Sequence, residues 1–328
     1  LILSEQKASV EFRPNPAGLQ NCQPVSAVAC GKTIIVGEHA VVYGAKAVAM
    51  PLINLAMGVS LTPLPTRNTP VFKAMIGGRN VSDHVMGVIE DAFRVLKIQP
   101  FSLELEGSST ILVGAGLGSS ASLCVVVLKA IAASVGRTLQ PYELAKYGNE
   151  LEKRFHGNPS GLDTAVVAYE EVVSFIKGET PVPIKVNQPT DKAKWWFAII
   201  DSCTRSSTIS MIKVAEPWFK NGNIDEKIQK FNAASEFVIK GLAEGDAGLV
   251  KLGMATSGEL LKQAGVVNQQ LQDLIDGASQ AGCLAAKTTG AGGGGCVLAL
   301  LDPIRPQEQL AALKNIVGAN RVTAVTLP

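Results

Sequence analysis

The sequence predicts an α+β fold in two domains, an N-terminal α+β domain over residues 1–190 and a C-terminal ferredoxin-like domain over residues 191–328. Three observations carry this. The chain has 328 residues, and at roughly 150 residues per domain that length suits two. After residue 193 the apolar periodicities, with a block of central helices collapsed, run β-α-β-β-α-β, the ferredoxin-like order. Before residue 178 a run of strands gives way to helices, and a glycine-rich loop at 114–118 leads from an apolar run into a long apolar helix.

The elements follow in chain order. Residues 25–62 alternate apolar runs with Gly and Pro and read as strands. Val81, Val85, Val88, Ile89 and Phe93 recur at helical spacing and predict a helix over 81–97. Phe101–Leu105 alternates apolar and polar residues as a strand does, and Ile111–Val113 leads into the glycine turn. Ser119–Val135 is expected to be a helix with Gly136 at its C-terminal end. Pro141 opens another, to about Phe155, with Leu144, Tyr147, Leu151 and Phe155 as its apolar stripe. Val172–Lys177 reads as a strand. The stretch 178–194, with three prolines and little periodicity, is the expected domain boundary. Beyond it come a strand at 194–200, helices over 228–242, 247–264 and 267–281, strands at 283–288 and 295–301, a helix at 307–317 and a strand at 321–327.

Composition excludes several classes. A chain that is 47% hydrophobic and 18% charged is not disordered. Its net charge of +2, with no run of like charges, argues against a nucleic-acid partner. The apolar stretches at 40–61 and 121–135 are interrupted by charge or too short to span a bilayer, so no membrane partner is expected. The six cysteines form no C-x-x-C pair and the histidines number three, which argues against a zinc site or disulfide framework and for a reducing compartment. The N-terminal Leu1–Lys7 lacks a signal-peptide layout. A cytoplasmic location is expected, with organellar import open.

Three segments carry chemistry. Gly114-Ala115-Gly116-Leu117-Gly118-Ser119-Ser120-Ala121 lets backbone N–H groups approach a ligand at a helix start, where free donors and a partial positive charge suit a phosphate. A Walker A loop fails, because Ser26 stands where its first glycine must be. The dinucleotide spacing G-x-G-x-x-A fits Gly116, Gly118 and Ala121, but the second strand it requires is replaced by a helix. Taken alone, the loop is also consistent with a glycine-rich lead-in to a capped helix. Lys32, in the segment Gly31–Gly44, enters an apolar strand and so calls for an anionic partner unless its head reaches water. Glu38 and His39 follow that strand, where ligand contacts often lie. In the third segment Glu152 sits one turn after Gly148, and Asp163 follows the stiff turn Gly157–Gly161. Asp163 is either half of a capping box or a carboxylate mounted at a helix start. Together the segments supply a phosphate cradle, a lysine and two carboxylates, the parts of phosphoryl transfer. The later run Gly290–Gly295 has five glycines in six residues, more than a hairpin needs, and is expected to lie bare against a cleft.

These segments, with Lys287–Cys296, resemble the motifs of the galactokinase, homoserine kinase, mevalonate kinase and phosphomevalonate kinase superfamily. The segments Gly37–Gly44 and His156–Asp163 are more specific to its mevalonate kinase branch, since a galactokinase is expected to carry Asp where Val41 stands. The similarity runs from about residue 26 to 300. It implies a two-domain small-molecule kinase with its active site in the cleft, using ATP and Mg2+ to phosphorylate the primary alcohol of (R)-mevalonate to 5-phosphomevalonate in isoprenoid precursor synthesis. By that resemblance Asp163 is the catalytic aspartate and Lys32 the lysine beside it. Gly114, Ala115, Gly116, Leu117, Gly118, Ser119, Ser120 and Ala121 form the triphosphate loop. Ser120 and Glu152 are the magnesium ligands, and Glu38, His39 and Thr208 lie in segments lining the mevalonate site. The chain departs from the pattern at Cys30 and Val113, where prolines are usual, and at Ser206–Thr208, where the register is ambiguous. A homodimer is one assembly open to such a kinase. The alternatives are a superfamily kinase acting on phosphomevalonate, homoserine or a sugar, a non-catalytic metabolite sensor on the same fold, and a Rossmann-type oxidoreductase.

Overall fold

The computed structural model describes residues 22–65, 69–189 and 193–327. The expected boundary at 190–191 and the N-terminal segment lie outside the described residues. The N-terminal elements are β1 (Val25–Val36), β2 (Ala47–Pro63), β3 (Phe72–Ile76), β4 (Arg79–Asn80), α1 (Asp83–Leu96), β5 (Leu103–Ser109), α2 (Ser119–Ser134), α3 (Pro141–His156), α4 (Leu162–Tyr169), β6 (Val173–Phe175) and β7 (Val182–Pro183). They build a sheet in the order β4-β3-β5-β2-β6-β7, with β1 also paired to β2. Its centre is β2, a 17-residue strand bonded to β1, β5 and β6. Against it lies α2, which is apolar nearly all round and buried along most of its length.

The C-terminal elements are β8 (Trp196–Asp201), α5 (Thr208–Lys220), α6 (Ile224–Glu244), α7 (Ala247–Gln263), α8 (Gln269–Gln280), β9 (Ala285–Thr289), β10 (Cys296–Leu300), α9 (Pro306–Val317) and β11 (Val322–Thr326). Their antiparallel sheet has the order β11-β8-β10-β9. That is the order expected of a ferredoxin-like arrangement. Alternate residues of β8 and β10 serve two layers. Phe197, Ile199, Leu298 and Leu300 join the main core with Val238 of α6 and Met254 of α7. Ala198, Ile200, Val297 and Ala299 pack on Leu271 of α8 and Leu313 of α9. Both faces are covered, so these strands read as continuous apolar runs.

Several expectations are corrected. The 25–62 stretch is strands as expected, β1 and β2, with a 3-10 turn at Ala40–Tyr43 between them that is absent from the expected elements. The strand expected at Phe101–Leu105 runs Leu103–Ser109, because β2 offers pairing partners from Met57 to Pro63. Helix α5 lies outside the expected elements: Pro217 stands inside it and reads as a break, although Met211, Ala215, Trp218 and Phe219 recur at helical spacing and pack in one apolar cluster. Helix α6 starts at Ile224, where Asn223 accepts from the backbone N–H groups of Asp225 and Glu226, rather than at 228. After α2 comes α3, not the strand a Rossmann unit needs. No helix among the described residues is long and apolar enough to cross a membrane.

Candidate active site

The glycine loop is built onto β1. The pairing of β1 with β2 shifts register between Cys30 and Gly31, and immediately after the shift the Lys32 backbone N–H donates to the Leu117 carbonyl, 3.0 Å away. The Lys32 stem then runs beneath Gly118. A Cβ at that glycine would stand 2.7 Å from Lys32 Cγ, and its φ is +77°. Only glycine meets both conditions. Gly118 is also the N-cap of α2, so the first free N–H groups of the helix open beside the lysine.

The Lys32 ammonium reaches Asp163 Oδ2 at 2.9 Å, with the lysine side chain buried and that of the aspartate 29% exposed. Asp163 lies in the first turn of α4, whose N-cap Gly161 has φ +94°. On the neighbouring helix, Glu152 is 1% exposed. Ser120 Oγ donates to Glu152 Oε1 at 3.0 Å and lies 3.2 Å from His156 Nε2. Burial pushes the Glu152 carboxyl up to about 8; the Asp163 charge adds to this, and the Ser120 hydrogen bond and Lys32 oppose it. Burial also lowers His156 and His39 below the usual imidazole range.

These groups open on one cavity of about 620 Å³. Lys32, His39, Gly114–Ser120, Glu152, Asp163 and Thr208 all line it. Two expected residues do not. Ala121 is fully buried beneath the loop, and Glu38 is buried in an ion pair with Lys287. The second glycine run does face the cavity: Gly290, Gly292, Gly294 and Gly295 lie on its wall. A Cβ on Gly290 would stand 3.2 Å from Gly116 Cα, so the two glycine turns touch backbone to backbone. The motif readings had given no role to His156, yet it also lines the cavity. Its spacing from Glu152, i to i+4 on α3, was the signal that could have revealed it. Ser206 and Ser207 are lining residues too, presented by the unanticipated start of α5. Ser207 is the N-cap of that helix and accepts from the Ser210 N–H.

The donor set suits Mg2+. Ser120 and Glu152 offer hard oxygens, and the carboxyl is held without an ion-pair partner at close range other than His156, 3.8 Å away. Among the described residues no cluster of three or more His, Cys, Asp and Glu could hold a metal alone. Mg2+ usually keeps several waters and takes one or two carboxylates together with substrate phosphates.

Comparisons with known proteins give the chain's likenesses. Residues 83–171 match the GHMP kinases N terminal domain and residues 238–320 the GHMP kinases C terminal domain. The mevalonate kinase of Pyrococcus horikoshii is 30% identical, the alignment covering 92% of this chain and 96% of that protein. The mevalonate kinase of Methanocaldococcus jannaschii is 27% identical over 87% of this chain and 94% of its own length. Among solved structures, L. major mevalonate kinase in complex with R-mevalonate superposes with a TM-score of 0.78 at 19% identity, covering 92% of this chain and 95% of that one.

Proposed function

As the chain belongs to the mevalonate kinase family, we propose that it transfers the γ-phosphoryl group of ATP to the primary alcohol of (R)-mevalonate, giving 5-phosphomevalonate for isoprenoid precursor synthesis. The observation that carries this reading is the Lys32–Asp163 pair beside the free N-terminus of α2, in one cavity with the Ser120–Glu152 donors. Asp163 orients the attacking hydroxyl and accepts its proton. Because the transition state of such transfers is largely dissociative, orientation is the larger part of that role. Lys32 sets positive charge against the transferred group. The phosphates rest on the backbone donors of Gly114–Ser120 and the start of α2. Ser120 and Glu152 would hold Mg2+, which would offset the negative charge of the phosphates.

The two substrates divide the cavity by polarity. Met57, Ile76, Val85 and Phe155 form an apolar wall suited to the adenine. His39, Ser206, Ser207 and Thr208 supply polar groups to the same cavity. Lys32 is the one Lys or Arg lining the cavity among the described residues, and Asp163 already holds it. The mevalonate carboxylate is therefore assigned to the N-terminal turn of α5, where free N–H groups and the helix dipole favour an anion.

The test is ADP release with (R)-mevalonate, phosphomevalonate, homoserine and galactose in parallel. Turnover confined to (R)-mevalonate supports the proposal, and preferential turnover of any other substrate overturns it.

A further inference from the structure

Between the two halves lies a buried polar seam that the proposed chemistry does not use. Glu38 and Lys287 form an ion pair in which both side chains are 0% exposed. They come from opposite halves, Glu38 from the turn after β1 and Lys287 from β9. The turn is shaped to aim the carboxylate inward. Gly37 has φ +97° and would place a Cβ 2.5 Å from Ala47 Cα. His39 takes φ +60°, a conformation a non-glycine residue adopts only when its surroundings impose it. Lys287 also donates to the Thr288 carbonyl at 2.7 Å, which fixes its ammonium in the seam. Two neighbouring contacts run the same way. Thr289 Oγ1 lies 2.9 Å from Thr33 Oγ1 and accepts from the Ile34 N–H at 3.0 Å. His39 Nε2 donates to the Ala291 carbonyl at 2.8 Å.

All three contacts tie residues 33–39 to residues 287–291, and the chain after residue 289 is the glycine turn. That turn lies directly on the phosphate loop: Gly290 meets Gly116, and a Cβ on Gly295 would stand 3.0 Å from the Ala115 carbonyl. The two loops meet through backbone at Gly290 and Gly116. Beyond that point the turn is held by Ser206 and Asn268, whose side chains donate to the Gly292 and Gly293 carbonyls, while its first residue, Gly290, follows directly on the strand end that the seam fixes. A buried ion pair is a poor source of stability, because desolvation offsets its attraction, but it defines geometry sharply.

We propose that Glu38 and Lys287 are positioning residues: their buried pair seats the glycine turn 290–295 against the phosphate loop 114–118, and Glu38 acts through Lys287 without touching the substrate. This rests on the kinase reading of the cavity but differs from a substrate role for Glu38.

The experiment compares the wild type with Glu38→Gln/Lys287→Met, which removes both charges and leaves no lone buried ion. ADP affinity in the presence of magnesium is measured by calorimetry, and KM for mevalonate by turnover. The expected result is a folded double variant whose ADP affinity falls about tenfold while its KM for mevalonate changes less than about twofold, since a small displacement of a positioning loop is costly at the group it serves. Lys287→Arg keeps the charge but not the point-like ammonium. It is judged by the same two measurements and carries the test if the double variant does not fold. Wild-type ADP affinity in the variants would reduce the pair to a structural contact. A raised KM for mevalonate with unchanged ADP affinity would return Glu38 to the substrate site. Either result overturns the proposal. If the wild type binds ADP but does not turn over mevalonate, the functional reading fails while the ADP measurement still decides the role of the pair.

Discussion

Lys32 on β1 and Asp163 on α4 meet at 2.9 Å, the lysine side chain buried and the aspartate opening on the cavity. The lysine arrives there because its stem is trapped under Gly118, the residue at which the glycine loop becomes helix α2. One side chain thus ties together the strand, the glycine loop and the carboxylate that opens on the cavity.

Asp163→Asn keeps the shape of this contact and removes the proton acceptor. Turnover is expected to fall roughly 10²–10⁴-fold, the usual contribution of one acid–base group. ADP affinity should stay near the wild-type value, because the lost group acts on the alcohol. Steady-state kinetics beside calorimetry checks this; near-normal turnover would leave Asp163 only a structural place in the first turn of α4.

Glu152→Gln exchanges a hard anionic oxygen for a neutral amide. The magnesium concentration needed for half-maximal rate should rise, with the fold retained because the amide oxygen can still accept from Ser120. A magnesium titration of a folded variant that overlays the wild type would remove Glu152 from the metal site.

The pH dependence of metal binding follows from the same carboxyl. Burial raises it from its ordinary 4.5 to about 8, so the folded, metal-free protein keeps a proton there at pH 7 that the unfolded chain has lost. The sign is that of a raised group: this contribution to stability is full below pH 4.5 and declines as pH rises toward 8. A metal must displace the proton. Magnesium-dependent ADP binding should therefore release about one proton at pH 7 and none well above pH 8. Calorimetry in buffers of different ionisation enthalpy measures it, and Glu152→Gln should abolish the release.

Gly118→Ala is expected to be the most damaging small substitution in the phosphate loop. The methyl group would meet Lys32 Cγ at 2.7 Å, in a backbone conformation with φ +77°. Strain and overpacking of this kind cost about 1–3 kcal/mol. Relief by moving Lys32 would also pull its ammonium from Asp163. A lowered Tm together with lost turnover is the expected outcome; a variant with both unchanged would show that the stem is free to move.

By itself the sequence determined the local framework and the chemical inventory. Periodicity placed α1, α3 and the β-α-β-β-α-β order of the second half, and the long apolar run ending at Gly136 placed α2, because these patterns are local to each element. Glycine spacing before Ser119, and the turn before Asp163, marked the phosphate loop and the carboxylate mount, because those backbones need particular residues. What only the tertiary structure decided were contacts made between segments far apart in the chain. Glu38 stood in a motif beside His39, yet the turn that sends the imidazole to the cavity wall sends the carboxylate into the seam with Lys287. The apolar stripe of helix α5 is interrupted by Pro217, which masks it in the sequence, and its first turn is seen as cavity wall only once the chain is folded. The meeting of Gly116 with Gly290 was likewise hidden: two loops without side chains carry no pattern that names a partner, and packing of the two sheets on a shared core brings them together.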